Sequence, residues 1–228
     1  MTILKRESIF ETNSSSTHSL VVPKKVKEEN YSLSDSLEHN YYYGREESRL
    51  VEYWDEKLAY LYIIITQVKK YSKKYKITSA MIKNFKERIN KFYDELYGKV
   101  EWKPSDRDPK PNDIFKYIEK EGQCELVKDS IEIRDRWGDW FCPYVDHIED
   151  FVEDGSFLDK VFNDDEFLKR FIFNEDSYIT IGGDEYRGYN IKTIGFEYDY
   201  GGMFEEESEF WKKLEEYKKD NDVFLKGN

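Results

Sequence analysis

The sequence predicts an α+β fold: a helical hairpin plus further helices packed on a small antiparallel sheet. Three observations carry this. Apolar residues recur at helical spacing in two adjoining segments of the first half, and extended apolar runs bounded by glycines appear in the last quarter. Rings make up 17% of the 228 residues, with 19 Tyr and 15 Phe. Aliphatics are sparse, so the core is expected to be built from rings, whose burial contributes strongly per residue and whose hydroxyls then need partners. The length suits a single domain, 1–228, with a helical hairpin at 48–98 and an acidic α+β part at 113–228, joined by a Pro-rich loop at 99–112.

Taken in order, 19–22 (SLVV) reads as a short strand stopped by Pro23, and 24–47 as polar and irregular. In 48–75, Trp54, Leu58, Leu61, Ile65 and Val68 mark one face of an amphipathic helix. Thr78 or Ser79 caps a second helix through Tyr97, with Met81, Ile82, Phe85, Ile89, Phe92 and Leu96 as its stripe and Gly98 as its stop. The two are expected to pack antiparallel. Residues 99–113 hold three of the five prolines. Asp113 is expected to cap a helix at 114–121, 124–133 to be extended, Pro143 to open a helix through Val152, and Asp164 to cap one at 166–173. The runs 177–181 (SYITI) and 191–198 (IKTIGFEY) predict a β-hairpin with a long loop. A final helix at 205–219 is expected to turn Phe210, Trp211, Leu214 and Tyr217 inward.

No run approaches the ~20 apolar residues of a membrane span; the best, 58–65 (LAYLYIII), is far too short. The first residues lack a signal-peptide pattern, so Cys124 and Cys142 are expected reduced and the protein cytoplasmic. The net charge of −12 is uneven. Residues 1–130 carry 24 Lys and Arg against 22 Asp and Glu, a balance of +2; 131–228 carry 12 against 26, a balance of −14. The acidic half is expected to repel nucleic acid and favour basic partners.

The most unusual word is FETNSSSTHS (10–19). Small hydroxyls and amides in a tight loop suit an anionic group, because they approach closely and donate hydrogen bonds. Asn13, Ser14, Ser15, Ser16 and Ser19 are the candidate ligand-binding residues. His18 could act as acid, base or metal ligand near neutral pH, with Glu11 beside it and Arg6 as a fixed positive charge. The competing account is a Ser/Asn turn satisfying its own backbone. No nucleophile elbow, phosphate-binding glycine pattern or zinc spacing is present, and the sequence leaves any cofactor unknown.

That word, with Arg6 before it and FNEDSYITIGGD (173–184) late in the chain, resembles an uncharacterised family of proteins from bacteriophages and mobile elements of low-GC Gram-positive bacteria. The resemblance covers about the first twenty residues and a patch near 171–185. It implies a phage setting in a bacterial host cell, and no activity. It adds Asp176 and Asp184 to the candidate ligand-binding residues.

Segment 69–91 carries nine Lys and Arg against Glu87 alone, a local balance of +8, with Tyr71 and Tyr75 interleaved. Lys69, Lys70, Lys73 and Lys74 could follow a phosphate backbone, face solvent, or pair with the acidic half. The acidic positions Asp146, Glu149, Asp150, Glu153, Asp154, Asp159, Asp164, Asp165 and Glu166, then Glu205, Glu206, Glu207 and Glu209, could imitate phosphate spacing or simply solubilise; they fit no calcium-loop spacing, and no metal site is expected. Trp137 and Trp140, flanked by Arg134 and Arg136, suit a buried ring cluster or an interface anchor. His39 and His147 stand alone.

Two function classes follow. In the first, the chain binds and blocks a host macromolecule as anti-defence or anti-CRISPR proteins do, its acidic surface (Glu205, Glu206, Glu207, with Trp137 and Trp140) entering a basic groove such as that of a nuclease. In the second, it is a small enzyme or a nucleotide- or anion-binding protein using Arg6, Glu11 to Ser19 and His18. Direct nucleic-acid binding ranks below these, and no membrane partner is expected.

Overall fold

The computed structural model of the chain describes residues 17–27, 30–35, 42–43, 49–99, 108–121, 144–145, 148–182 and 204–226. Among these, seven helices pack around a four-stranded antiparallel sheet, which is the α+β class the sequence predicts. The sheet is made of β1 (Thr17–Pro23), β3 (Arg49–Val51), β5 (Tyr178–Gly182) and β6 (Asn221–Lys226), in the order β3-β5-β1-β6. A separate parallel pair joins β2 (Tyr42–Tyr43) to β4 (Tyr144–Val145).

Strand periodicity assigns the two sheet faces. Leu20 and Val22 of β1, Val51 of β3 and Ile179 and Ile181 of β5 enter the main core with the helices. Val21 and Tyr178 instead join Leu214 of α7 (Phe204–Tyr217), with Tyr217, Val223 and Leu225 packed alongside. The sheet therefore lies between the helical layer and α7.

The helical layer is organised by α1 (Trp54–Tyr71), whose residues from Trp54 to Ile65 are all buried. The spacing predicts one apolar stripe; the uninterrupted apolar run in 58–65 instead makes the part of α1 from Trp54 to Ile65 a central segment enclosed on all sides, and only its C-terminal end reaches solvent. Its start also differs, because residues 49–51 pair with β5 as a strand. Its end comes at Tyr71, where Ser72 Oγ accepts hydrogen bonds from the Lys74 and Tyr75 amides and turns the chain.

Helix α2 (Ser79–Tyr97) begins as expected, with Thr78 Oγ1 accepting from the Met81 amide, and buries Phe85, Ile89, Phe92, Tyr93 and Leu96. It runs antiparallel to α1: Lys69 meets Ser79, Tyr62 stacks on Phe85 with centroids 6.2 Å apart, and Trp54 meets Tyr93 at 5.2 Å. The seam between them is filled by α3 (Pro111–Glu121). Phe115 packs on Tyr62 at 4.7 Å, and Glu119 accepts hydrogen bonds of 2.6 Å from Tyr62 and from Lys86. Burial opposes ionisation of Glu119, but the bonds from Lys86 and Tyr62 outweigh it and hold the carboxyl below its ordinary value. Helix α3 starts before Asp113, because Pro111 suits the first helical turn; Asp113 reaches back to the Lys110 amide at 3.2 Å.

Further on, 144–145 is strand rather than helix, and α4 (Ile148–Asp154) follows. An additional helix beyond those expected, α5 (Ser156–Asn163), comes next, and Gly155 separates it from α4 with φ 67°. Asp164 caps α6 (Asp165–Phe173) through the Phe167 amide, as expected. The 177–181 strand is present, with β3 and β1 paired along its two edges. Residues 124–133 and 191–198 lie outside the described residues. Helix α7 turns Leu214 inward but leaves Trp211 42% exposed, contrary to expectation, and the chain then forms β6.

Candidate functional site

The polar word at 10–19 does not end as a loop. Thr17, His18 and Ser19 open β1, and they are 3%, 0% and 1% exposed. β1 pairs with β5 in the register Thr17↔Gly182 to Val21↔Tyr178. The described end of the first patch, Thr17 to Ser19, thus lies beside the strand of the second.

The register also sets a row across one end of the sheet. His18 lies opposite Ile181 on one side and Lys226 on the other, and Arg49 lies opposite Ile181 from β3. All four belong to the helix-facing surface. His18 Nδ1 and Tyr60 Oη share a hydrogen bond of 2.8 Å. Tyr60 packs edge-on against Tyr43 at 5.2 Å, and the Arg49 guanidinium lies 5.3 Å from the Tyr43 ring while pairing with Glu56. Tyr43 Oη donates to the Glu56 carbonyl at 2.7 Å. On the other flank, Lys226 donates to the Asp150 carbonyl at 2.9 Å and to Asp154 Oδ2 at 3.1 Å, 5.5 Å from the Phe151 ring centroid. Hydrogen bonds from Ser156, then from Lys226, hold the Asp154 carboxyl below the usual carboxylate range.

This places three cationic or titratable side chains, Arg49, His18 and Lys226, at the end of the sheet where the chain enters β1 and leaves β5. Their partners keep them oriented, since a buried cation is tolerated only when paired. The low-dielectric surroundings strengthen their field.

Two expected members are placed elsewhere. Ser19 faces the α7 side of the sheet, opposite to His18, because strand side chains alternate, so the two cannot share one ligand. Its hydroxyl is buried with no hydrogen-bond partner among the described residues. Asp176 precedes β5 at the far end of the strand from His18, and accepts a 2.7 Å hydrogen bond from Asn30. Arg6, Glu11, Asn13, Ser14, Ser15, Ser16, Asp184, Trp137 and Trp140 lie outside the described residues. Glu205, Glu206 and Glu207 fall in the first turn of α7.

Lys57 stands outside the site residues expected from the sequence. It is 1% exposed, and its ammonium donates to the carbonyls of Asn174 at 2.8 Å and Ser177 at 2.9 Å, at the turn joining α6 to β5. Desolvation lowers its pKa to about 7, against the raising influence of Glu52, Glu175, Asp176 and Asp55. The signal was available: Lys57 follows Trp54 by three residues and precedes Leu61 by four, in phase with the apolar stripe.

Among the described residues, four carboxylates of the acidic half are engaged within the chain. Asp154 pairs with Lys226, Asp165 with Arg88, Asp222 with Lys160, and Asp159 accepts from Tyr75. Among the described residues no group of His, Cys, Asp or Glu could hold a metal ion, and no helix is long and apolar enough to cross a membrane. A scan against protein-family models finds no match, and neither curated proteins nor solved structures give one.

Proposed function

We propose that this chain binds a small anionic ligand of the phosphate or carboxylate class at the end of the sheet marked by Arg49, His18 and Lys226. The carrying observation is the β1–β5 pairing, which brings Thr17 to Ser19 of the first patch beside the strand of the second and, with β3 and β6, aligns His18 with two fixed cations. Tyr60 and Glu56 orient His18 and Arg49. Inorganic phosphate, AMP and citrate should raise the melting temperature of the wild type. Arg49→Gln, a partly exposed position, should keep the fold and lose most of that rise; His18→Asn should lose it as well. Equal stabilisation of wild type and Arg49→Gln would remove this reading.

A second reading, blocking of a basic host macromolecule in a phage setting, is favoured by α7, where an exposed Trp211 follows the acidic turn Glu205–Glu207. Such binding would be salt-sensitive and would slow on replacing those three glutamates by Lys. Unchanged association kinetics in that variant would exclude it.

A further inference from the structure

We propose that the turn at 69–76 is a binding surface for the phosphate backbone of double-stranded nucleic acid. Five lysines, Lys69, Lys70, Lys73, Lys74 and Lys76, are exposed within eight residues, and no Asp or Glu occurs between Lys57 and Glu87 in the sequence. Lys69 and Lys70 occupy the last turn of α1, where they also offset the negative end of the helix dipole. That account does not reach Lys73, Lys74 and Lys76, which lie beyond the helix.

The neighbouring cations of the same chain differ from these. Lys83, Lys86 and Lys91 pair with Glu87, Glu119 and Glu95. Among the described residues Lys70, Lys73, Lys74 and Lys76 form no salt bridge. The nearby carboxylate of Asp159 accepts from Tyr75 Oη at 2.7 Å instead. In a chain of net charge −12, four lysines thus stay unneutralised side by side.

The turn is also held in shape before any partner arrives. Ser72 Oγ ties down the Lys74 and Tyr75 amides, Tyr75 is fixed to α5 through Asp159, and Ile77 is 7% exposed against the core. A preformed turn binds with less ordering loss than a mobile tail.

The chemistry selects among polyanions. Lysine ammoniums are compact, strongly hydrated charges suited to a partner held by charge density. No large exposed hydrophobic lies in 69–83 to enter a bilayer, and no arginine is there to anchor an acidic protein. Single strands are gripped by stacking on free rings. The interleaved tyrosines are not free: Tyr75 is bonded to Asp159, and Lys70 Nζ sits 5.0 Å from the Tyr71 ring centroid. Duplex, with about one charge per 1.7 Å of axis, is the densest phosphate array.

The test is fluorescence anisotropy of a labelled 20-base-pair duplex titrated with the full chain at 50 mM salt. Binding is expected in the micromolar range, with log K falling against log salt at a slope of about −3, as three to four phosphate contacts give. Lys73→Gln/Lys74→Gln/Lys76→Gln should weaken binding at least about tenfold and flatten the slope by about two units. Thermal melting should confirm that this solvent-facing triple variant folds. Lys116→Gln/Lys212→Gln, two exposed lysines elsewhere, should bind as wild type. The proposal is overturned if duplex does not bind, if the two variants weaken binding equally, or if a single strand of the same sequence binds as well or better. It is also overturned if the triple variant loses binding only to phosphatidylserine vesicles or to polyglutamate.

Discussion

Replacing Lys57 by Met tests the balance of forces at the centre of α1. The buried ammonium titrates at about 7 when folded, against 10.5 as the ordinary value. Between those two pH values the unfolded chain holds a proton that the folded chain has released, so stability rises with pH across that window. The full difference corresponds to about 5 kcal/mol, with a slope of at most about 1.4 kcal/mol per pH unit. From pH 7.5 to 9.5 the wild type should therefore gain about 2–3 kcal/mol. Above pH 10 the sign reverses, because burial pushes Tyr93 up to about 12 and raises Tyr62 and Tyr75 as well. These phenols stay protonated in the folded chain while their unfolded counterparts ionise. Urea unfolding of wild type and Lys57→Met at pH 7.5, 8.5 and 9.5 measures the slope directly. The variant should show no gain over this range. At pH 9.5 it should be less stable than wild type by about 1–3 kcal/mol, since the Asn174 and Ser177 carbonyls lose a donor. Parallel pH dependences in the two proteins would refute the reasoning.

Three further outcomes are expected from chemical denaturation. Leu61→Ala, at a fully buried position of α1, should destabilise by about 2–5 kcal/mol. Asp164→Ala removes the acceptor for the Phe167 amide and should cost about 1 kcal/mol, recovered in part by Asp164→Asn. Gly155→Ala should cost about 1–2 kcal/mol through its φ of 67° alone, because the added methyl would meet Tyr75 only at 3.6 Å, an ordinary contact.

The parts of the fold legible in the sequence are those where local signals agree. Thr78, the Phe85–Ile89–Phe92–Leu96 stripe and Asp164 mark α2 and α6 correctly, because a cap and a 3.6-residue period need no distant partner. Where pairing is remote, local reading fails. Arg49–Val51 continues the helical pattern in sequence and is pulled into the sheet by β5; Asn221–Lys226 is too short and too charged to announce a strand, and β1 supplies its partner. The same limit governs the candidate site. His18 was recognised as unusual, but its neighbours Arg49, Tyr60 and Lys226 are set by strand register and by α1, which spacing along the chain does not encode. The strand begins at Thr17, two residues before the expected Ser19, because Thr17 and His18 sit in a polar word whose local signal is a turn, and pairing with β5 and β6 overrides it.

The position of β1 has a kinetic consequence. It is synthesised before both of its partners, and its edges are closed by strands made about 160 and about 200 residues later. Until then an apolar strand stands with open ladder groups on two sides, the condition under which chains associate through strand edges. Contacts of such long range slow folding, because loop closure precedes any gain from pairing. The yield of folded protein should therefore depend on synthesis rate and chain concentration more than on final stability, and lower expression temperature should favour the paired state.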